Sequence, residues 1–353
     1  MGKGDEGGMG KYSLERFERY PTIRCRPLEK AEPAEGAGIS RFVTVHVTLG
    51  DEPPVLRERT LLEISVPEGS VETMPKTESA LRRLASVYCR DPLLLGVTLV
   101  TDAVTAKKRR LWETAAEAFA PKRYHVPVTD SEQLDYALKH GLAGGLAVTV
   151  GENPYDICEA FAEQGAQQLF KQMPVLVSFA HAGEGWTKYA QQWHAAAVEG
   201  IDAPAGWRIA LRRLTYPKAL TSGGFAPMRF WWVNKGPSYC HEEVEVRLRL
   251  ERDGQHTPIA LHDRTNCFHL ADRAYNEIVR LPGVATGQYQ LQFGLFAADG
   301  TALALANDGR TDDGYYPAGA MHIDDVPRPE LETVWDGFYP DGYYPLEDPK
   351  EPM

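Results

Sequence analysis

Between residues 93 and 198 apolar positions recur in two alternating styles. Short, nearly unbroken apolar runs, Leu93 to Val100, Tyr124 to Val128, Gly145 to Val150 and Val175 to Phe179, predict buried strands. Between and after them, Ala106 to Phe119, Glu132 to His140, Tyr155 to Phe170 and Trp186 to Val198 space their apolar residues as helices do, with Gly141 ending the second. Strand and helix in alternation imply a parallel sheet covered on both faces, either a TIM-type barrel or an open doubly wound sheet. Upstream, Phe42, Val43, Val45 and Val47 and the run Leu61 to Val66 predict two more strands, joined through the turn-prone Gly50-Asp51-Glu52-Pro53-Pro54. Leu81, Leu84, Ala85 and Tyr88 predict a helix, with Thr77 as its candidate N-cap.

From residue 206 the period changes to two. Met228, Phe230 and Trp232 fall on one face of a strand and Arg229, Trp231 and Val233 on the other, between a Gly223-Gly224 turn and an Asn234-Lys235-Gly236-Pro237 turn. Val244, Val246, Leu248 and Leu250 alternate with Glu245, Arg247, Arg249 and Glu251, which predicts one buried and one wet face. Tyr289, Leu291, Phe293 and Leu295 repeat the pattern. Strands of this kind separated by turn residues predict an antiparallel β-sandwich over residues 206–325.

Trp207-Arg208-Ile209-Ala210-Leu211, Tyr216-Pro217, Trp232-Val233-Asn234-Lys235-Gly236, Leu281-Pro282-Gly283, Gly287-Gln288-Tyr289-Gln290-Leu291, Leu303-Ala304-Leu305-Ala306 and Asp313-Gly314-Tyr315-Tyr316-Pro317-Ala318-Gly319 occur in that order. With that order and spacing the stretch resembles the C-terminal sandwich of a bacterial family, domain of unknown function 4832. The resemblance implies that a barrel similar to those of glycoside hydrolases precedes the sandwich. It favours the barrel over the open sheet, and Arg82 to Pro92, Leu111 to Phe119, Tyr136 to Leu142 and Met173-Pro174-Val175 are similar, in order, to the second half of such barrels. About 205 residues precede the sandwich where a TIM barrel takes about 250. The expected fold class is therefore α/β plus all-β: a shortened or degenerate TIM-type (β/α) barrel over residues 13–205, an Ig-like antiparallel β-sandwich over 206–325, a disordered start (1–12) and an aromatic-rich tail (326–353).

Composition narrows the partners. Acidic residues outnumber basic ones, 49 to 38, for a formal charge of -11, which argues against a nucleic-acid partner because phosphate contacts need a positive footprint. The five cysteines are scattered with no C-x-x-C pair, and no histidine pair has H-x-x-x-H spacing, so neither a metal site nor a disulfide framework is expected. No nucleotide-binding glycine motif or nucleophile elbow occurs where it could act, and no cofactor is expected. With no apolar run of 18 residues and no signal-peptide core at the start, no membrane partner is expected and the cytoplasm is the expected compartment, with secretion the alternative for a sequence given without its leader.

Chemistry in a βα barrel collects where strands lead into helices. The predicted strand ends offer Asp102, Asp130, Glu152 and Glu184. Glycoside hydrolysis commonly uses two carboxyl groups, one protonated and one ionised. The candidate catalytic pair is Glu184 as nucleophile or base and Glu152 as acid. Asp102, Asn153, His181 and Trp186 are candidate substrate-binding residues, the indole as a surface for a sugar ring. An acid just before a helix also serves as a cap or dipole partner, so each carboxylate keeps that second reading. The tail repeats Asp313-Gly314-Tyr315-Tyr316-Pro317 as Asp336-Gly337-Phe338-Tyr339-Pro340 and Asp341-Gly342-Tyr343-Tyr344-Pro345, a candidate docking arm for a homo-oligomer. Two functions stand nearly level: a glycoside hydrolase-like protein acting on an oligosaccharide or polysaccharide, and a non-catalytic scaffold or glycan- or protein-binding module. The resemblance implies a Glu directly after Leu93 to Val100 and after Val175 to Ser178, and its absence at both places favours the second.

Overall fold

The computed structural model describes residues 41–67, 74–100, 106–120, 124–128, 131–151, 153–163, 165–180, 182, 186–241, 244–261, 265–266 and 273–331. They divide into two compact units, 41–208 with 234–241, and 209–233 with 244–331. The start expected to be disordered, 1–12, lies outside the described residues.

Every strand of the first unit runs parallel to its neighbours. β1 (Val43–Thr48), β2 (Thr60–Ser65) and β3 (Leu94–Val100) pair in that order as a three-stranded sheet. β4 (His125–Pro127), β5 (Gly145–Thr149), β6 (Val175–Ser178) and β7 (Ala197–Glu199) pair as a four-stranded one. Single parallel bridges join the two sheets at both ends, Val97 to Tyr124 between β3 and β4, and Arg41 to Val198 between the start of β1 and β7. The strands therefore follow one another in cyclic order around a ring. Phe42, Leu61, Ala147, Leu176 and Ala197, from five parts of that ring, pack into one buried cluster, so these side chains face its interior.

The connections are helical from β2 onward: α1 (Met74–Tyr88), α2 (Ala106–Ala118), α3 (Ser131–Lys139), α4 (Pro154–Glu163) and α5 (Thr187–Gln192). α1 buries Leu81, Leu84, Ala85 and Tyr88 as their spacing requires. It begins at Met74, so Thr77 is a buried first-turn residue and not the N-cap. The expected helix Tyr155 to Phe170 is broken at Gly165, whose φ of 62° turns the chain into the 3₁₀ helix Ala166–Lys171. The expected helix Trp186 to Val198 is α5 followed by β7. The chain reverses at His194, which takes a φ of 53°, and Ala197 and Val198 become strand.

The second unit is built almost wholly from antiparallel strands. β8 (Ile209–Thr215), β10 (Phe225–Asn234) and β14 (Arg273–Arg280) form a three-stranded sheet in the order β14-β10-β8. The other sheet runs β12 (Gln255–Ile259), β11 (Val244–Arg252), β15 (Gly287–Ala297), β17 (Tyr316–Asp324) and β9 (Ala219–Thr221), with β13 (Thr265–Asn266) and β16 (Ala302–Leu303) pairing at its side. β9 joins β17 in parallel. The inner faces meet where Trp232 packs edge-on to Phe293, with centroids 6.1 Å apart.

The outer face of β11 departs from its predicted wetness at Arg249, which is only 7% exposed. Its guanidinium donates to Gln292 Oε1 (2.6 Å), forks onto the Asp313 carboxylate and lies 3.7 Å from the Tyr315 ring centre. The first copy of the Asp-Gly-Tyr-Tyr-Pro motif thus divides its labour. Asp313 and Tyr315 hold Arg249, while Tyr316 is buried and its hydroxyl accepts from the Leu305 amide (2.7 Å). The two later copies lie outside the described residues. No helix among the described residues is long and apolar enough to cross a membrane.

Packing and charge each have a measurable consequence. A Cβ at Gly145 would stand 2.2 Å from Nε2 of the buried His125 ring, so Gly145→Ala should cost about 1–3 kcal/mol by overpacking. Urea unfolding would register this, and adding His125→Ala should relieve part of it. An unchanged midpoint in Gly145→Ala would mean that the ring moves aside freely. Hydrogen bonds from Arg249 and then Thr311 hold the Asp313 carboxyl down at about 2. Because the folded value is depressed, the stabilisation is present above the unfolded carboxylate range and is lost as pH falls toward 2. The difference in urea midpoint between wild type and Asp313→Asn should be open at about pH 5 and close by about pH 2. A difference independent of pH would rule out the ion pair as its source.

Candidate functional site

Side chains on one face of a strand recur every second residue. Two positions beyond the inward-facing Phe42, Leu61, Ala147, Leu176 and Ala197, toward the strand C-termini, stand Thr44, Glu63, Thr149, Ser178 and Glu199. An apolar floor inside the ring is therefore followed by a polar layer, at the end where strands lead into helices. Thr98 of β3 pairs in register with Glu63, and its hydroxyl is buried without a hydrogen-bond partner among the described residues.

Two carboxylates of this layer flank β1. Glu199 ends β7, and its Oε1 accepts from the Thr44 amide at 2.5 Å while Oε2 accepts from the Thr44 hydroxyl (2.7 Å) and the Ser178 hydroxyl (2.6 Å). The reason is local. Val198 O takes the amide of Phe42, and the chain then turns away at Gly200, whose φ is +83° and where a Cβ would come within 2.8 Å of the Ala180 nitrogen. The side chain of Glu199 meets the next β1 amide at that point. On the other flank, Glu63 of β2 is three-quarters buried and its Oε1 lies 2.7 Å from His46 Nδ1, whose ring is largely exposed. Thr44 and His46 are two steps apart on one strand face, about 6.5–7 Å. The two carboxylates are thus anchored at neighbouring same-face positions of β1. A cleft of about 420 Å³ follows the β7–β1 seam, bordered by Arg41, Phe42, Glu58, Arg59, Glu199 and Asp202.

Such a site can place a carboxyl group held by three hydrogen bonds beside a second one that has an imidazole for its partner. Carboxyl and imidazole groups both serve acid–base hydrolysis.

At the same end of the ring, α4 and α5 follow the adjacent strands β5 and β6. Asn153 caps α4, its Oδ1 accepting from the Tyr155 amide at 3.3 Å. Trp186, immediately before α5, meets Tyr155 with ring centroids 5.7 Å apart. Of the candidates read from the sequence, Asn153 and Trp186 therefore sit at this end, Asn153 as a helix cap. Asp102, Asp130, Glu152, His181 and Glu184 lie outside the described residues. The reading of strand ends passed over Glu63, Glu199, Ser178 and Thr44, because it took acids after the strands and not the last inward position within them. The available signal was the repeated step from an apolar residue to a polar one two places on. No group of three His, Cys, Asp or Glu among the described residues is arranged to hold a metal ion.

No protein-family model matches the chain, and no curated protein does. Among solved structures it is similar to a β-glucuronidase of Bacteroides uniformis at 11% identity and a TM-score of 0.29, covering 81% of this chain and 42% of that one. A Niemann-Pick type C2 protein from the Japanese carpenter ant aligns at 6% identity and a TM-score of 0.22, over 30% of this chain and 79% of that one. The CARDB domain of the PF1109 protein from Pyrococcus furiosus aligns at 11% and 0.22, over 33% and 91%. At these scores the likenesses carry no argument about activity.

Glu199→Ala removes three hydrogen bonds at the ring seam and leaves the Thr44 amide without its acceptor, which should cost about 2–4 kcal/mol. Glu199→Gln should keep most of the stability. Thermal unfolding followed by circular dichroism checks both, and equal melting temperatures for wild type and Glu199→Ala would remove the carboxylate from the closure of the ring.

Proposed function

We propose that the chain is a carbohydrate-active protein similar in design to a glycoside hydrolase, a shortened TIM-type barrel followed by an Ig-like antiparallel β-sandwich, related to the domain of unknown function 4832 family. The observation that carries this reading is the pair Glu63 and Glu199, set on either side of β1 in a polar layer above an apolar floor. Cyclic order of the parallel strands supports the barrel, and the packing of Trp232 on Phe293 supports the sandwich.

Hydrolysis of a glycosidic bond needs one carboxyl group to protonate the leaving oxygen and another, ionised, to act as nucleophile or base. In this proposal Glu199, its oxygens fixed by Thr44 and Ser178, is the nucleophile or base, and Glu63, beside His46, is the acid. Glu152 and Glu184 remain proposed loop carboxylates on the strength of their sequence positions. The second reading, a non-catalytic glycan- or protein-binding scaffold, draws on one observation: the hydrogen bonds of Glu199 close the seam and would be needed without any reaction.

Reducing-sugar release from a broad oligosaccharide panel tests the proposal. Glu63→Gln and Glu199→Gln should each lower the rate by about 10²–10⁴-fold while the circular dichroism spectrum is retained. Loss only in Glu152→Gln or Glu184→Gln would move the chemistry to the loops. No release by the wild type on any substrate would favour the scaffold.

A further inference from the structure

Tyr155 is 66% exposed, and its ring packs against another aromatic ring. It meets Trp186 edge-on at 87°, with centroids 5.7 Å apart. Trp186 leans on Tyr189 at 5.2 Å, Tyr189 on Trp193 at 5.2 Å, and Trp193 stacks flat on Phe161 at 5.0 Å and 7°. Trp193 and Phe161 are buried. The exposed corner is thus the outer end of an aromatic stack rooted in the core, and neither outer ring can swing away without breaking contacts behind it.

The corner also has a place. Tyr155 lies in the first turn of the helix after β5 and Trp186 just before the helix after β6, so both stand at the end of the ring that carries the polar layer of Glu63 and Glu199. Two rings at a right angle offer a flat apolar face and an edge beside it. A pyranose matches this shape, because one side of its ring presents C–H groups and its rim presents hydroxyls. The Tyr155 phenol supplies a donor and acceptor for those hydroxyls. A protein partner of ordinary interface size would bury several hundred Å² on each side, and among the described residues Tyr155 and Trp186 supply only a corner of that.

We propose that Tyr155 and Trp186 form a stacking subsite for a pyranose unit of an oligosaccharide chain whose neighbouring units reach the polar layer. This rests on the carbohydrate reading above and adds the ring that is held and the surface that holds it. Binding does not need turnover, so the two can fail separately.

The test is isothermal titration calorimetry of the full chain with cellohexaose, xylohexaose, maltohexaose, laminarihexaose and chitohexaose. Wild type should bind at least one of them. Tyr155→Ala and Trp186→Ala should each weaken that binding about tenfold or more, Tyr155→Phe should retain most of it, and Phe225→Ala, which truncates an exposed ring in the other unit, should leave it unchanged. If Trp186→Ala does not fold, the exposed Tyr155 carries the comparison alone. Absence of binding to all five hexasaccharides, or equal binding by wild type and Tyr155→Ala, overturns the subsite. Binding that depends on the two rings without any hydrolysis would leave the subsite standing and remove the hydrolase.

Discussion

The first unit depends on closing a ring whose two seams are thin. β4 and β7 have three residues each, and these are the strands that meet a neighbouring sheet through a single bridge, β4 to β3 and β7 to β1. An unpaired strand edge leaves amides and carbonyls without partners, and inside a protein each such group is costly. Side chains make up what the backbone cannot. At the β7–β1 seam the Glu199 carboxylate takes the Thr44 amide that the departing main chain no longer reaches. At the β7–β1 seam closure therefore draws a carboxylate to the interior face for reasons of geometry, before any reaction is considered.

That constraint also orders the interior into layers. Small or aliphatic residues, Leu61, Ala147, Leu176 and Ala197, fill the floor, and hydroxyls and carboxylates occupy the next inward positions. Gly145 belongs to the same scheme: lacking a side chain, it makes room for the His125 ring directly across the β4–β5 pair. A floor of this kind excludes water from below the polar layer. The carboxylates are held by strands and the aromatic corner by helix starts, so the rigid part of the site and the part contributed by connections come from different elements.

How much of this could be read in the sequence varies by element. A continuous apolar run is the strongest signal a buried parallel strand gives, and β3, β5 and β6 were legible from such runs in Leu94–Val100, Gly145–Thr149 and Val175–Ser178. β7 was not, because Ala195-Ala196-Ala197-Val198 continues the helical spacing of Trp186, Tyr189 and Trp193, and only the reversal at His194 separates them. Without β7, Glu199 had no strand to stand on. Glu63 was inside a recognised strand but was the polar interruption of an apolar run, and which face it took depends on pairing across β1 and β3, a long-range property. In the second unit the alternation of β11 gave the right inner face. The burial of Arg249 on the outer face was not legible, because its partners Gln292 and Asp313 lie 43 and 64 residues away.

Glu199 carries two demands at once. As the acceptor for Thr44 and Ser178 it must stay in place for the seam to close, and as the proposed nucleophile or base it must present a lone pair to a substrate. The two are compatible, because a carboxylate offers about four acceptor sites and three donors occupy it here. The hydrogen bonds that hold it also remove the freedom to find the substrate by rotation, so the substrate must come to the carboxylate in a set orientation. A glycan chain anchored at a distance on rigid rings would arrive in such an orientation, whereas a lone sugar would not. Under the proposal, strand carboxylates and an aromatic corner at the same end of the ring call for a ligand long enough to touch both.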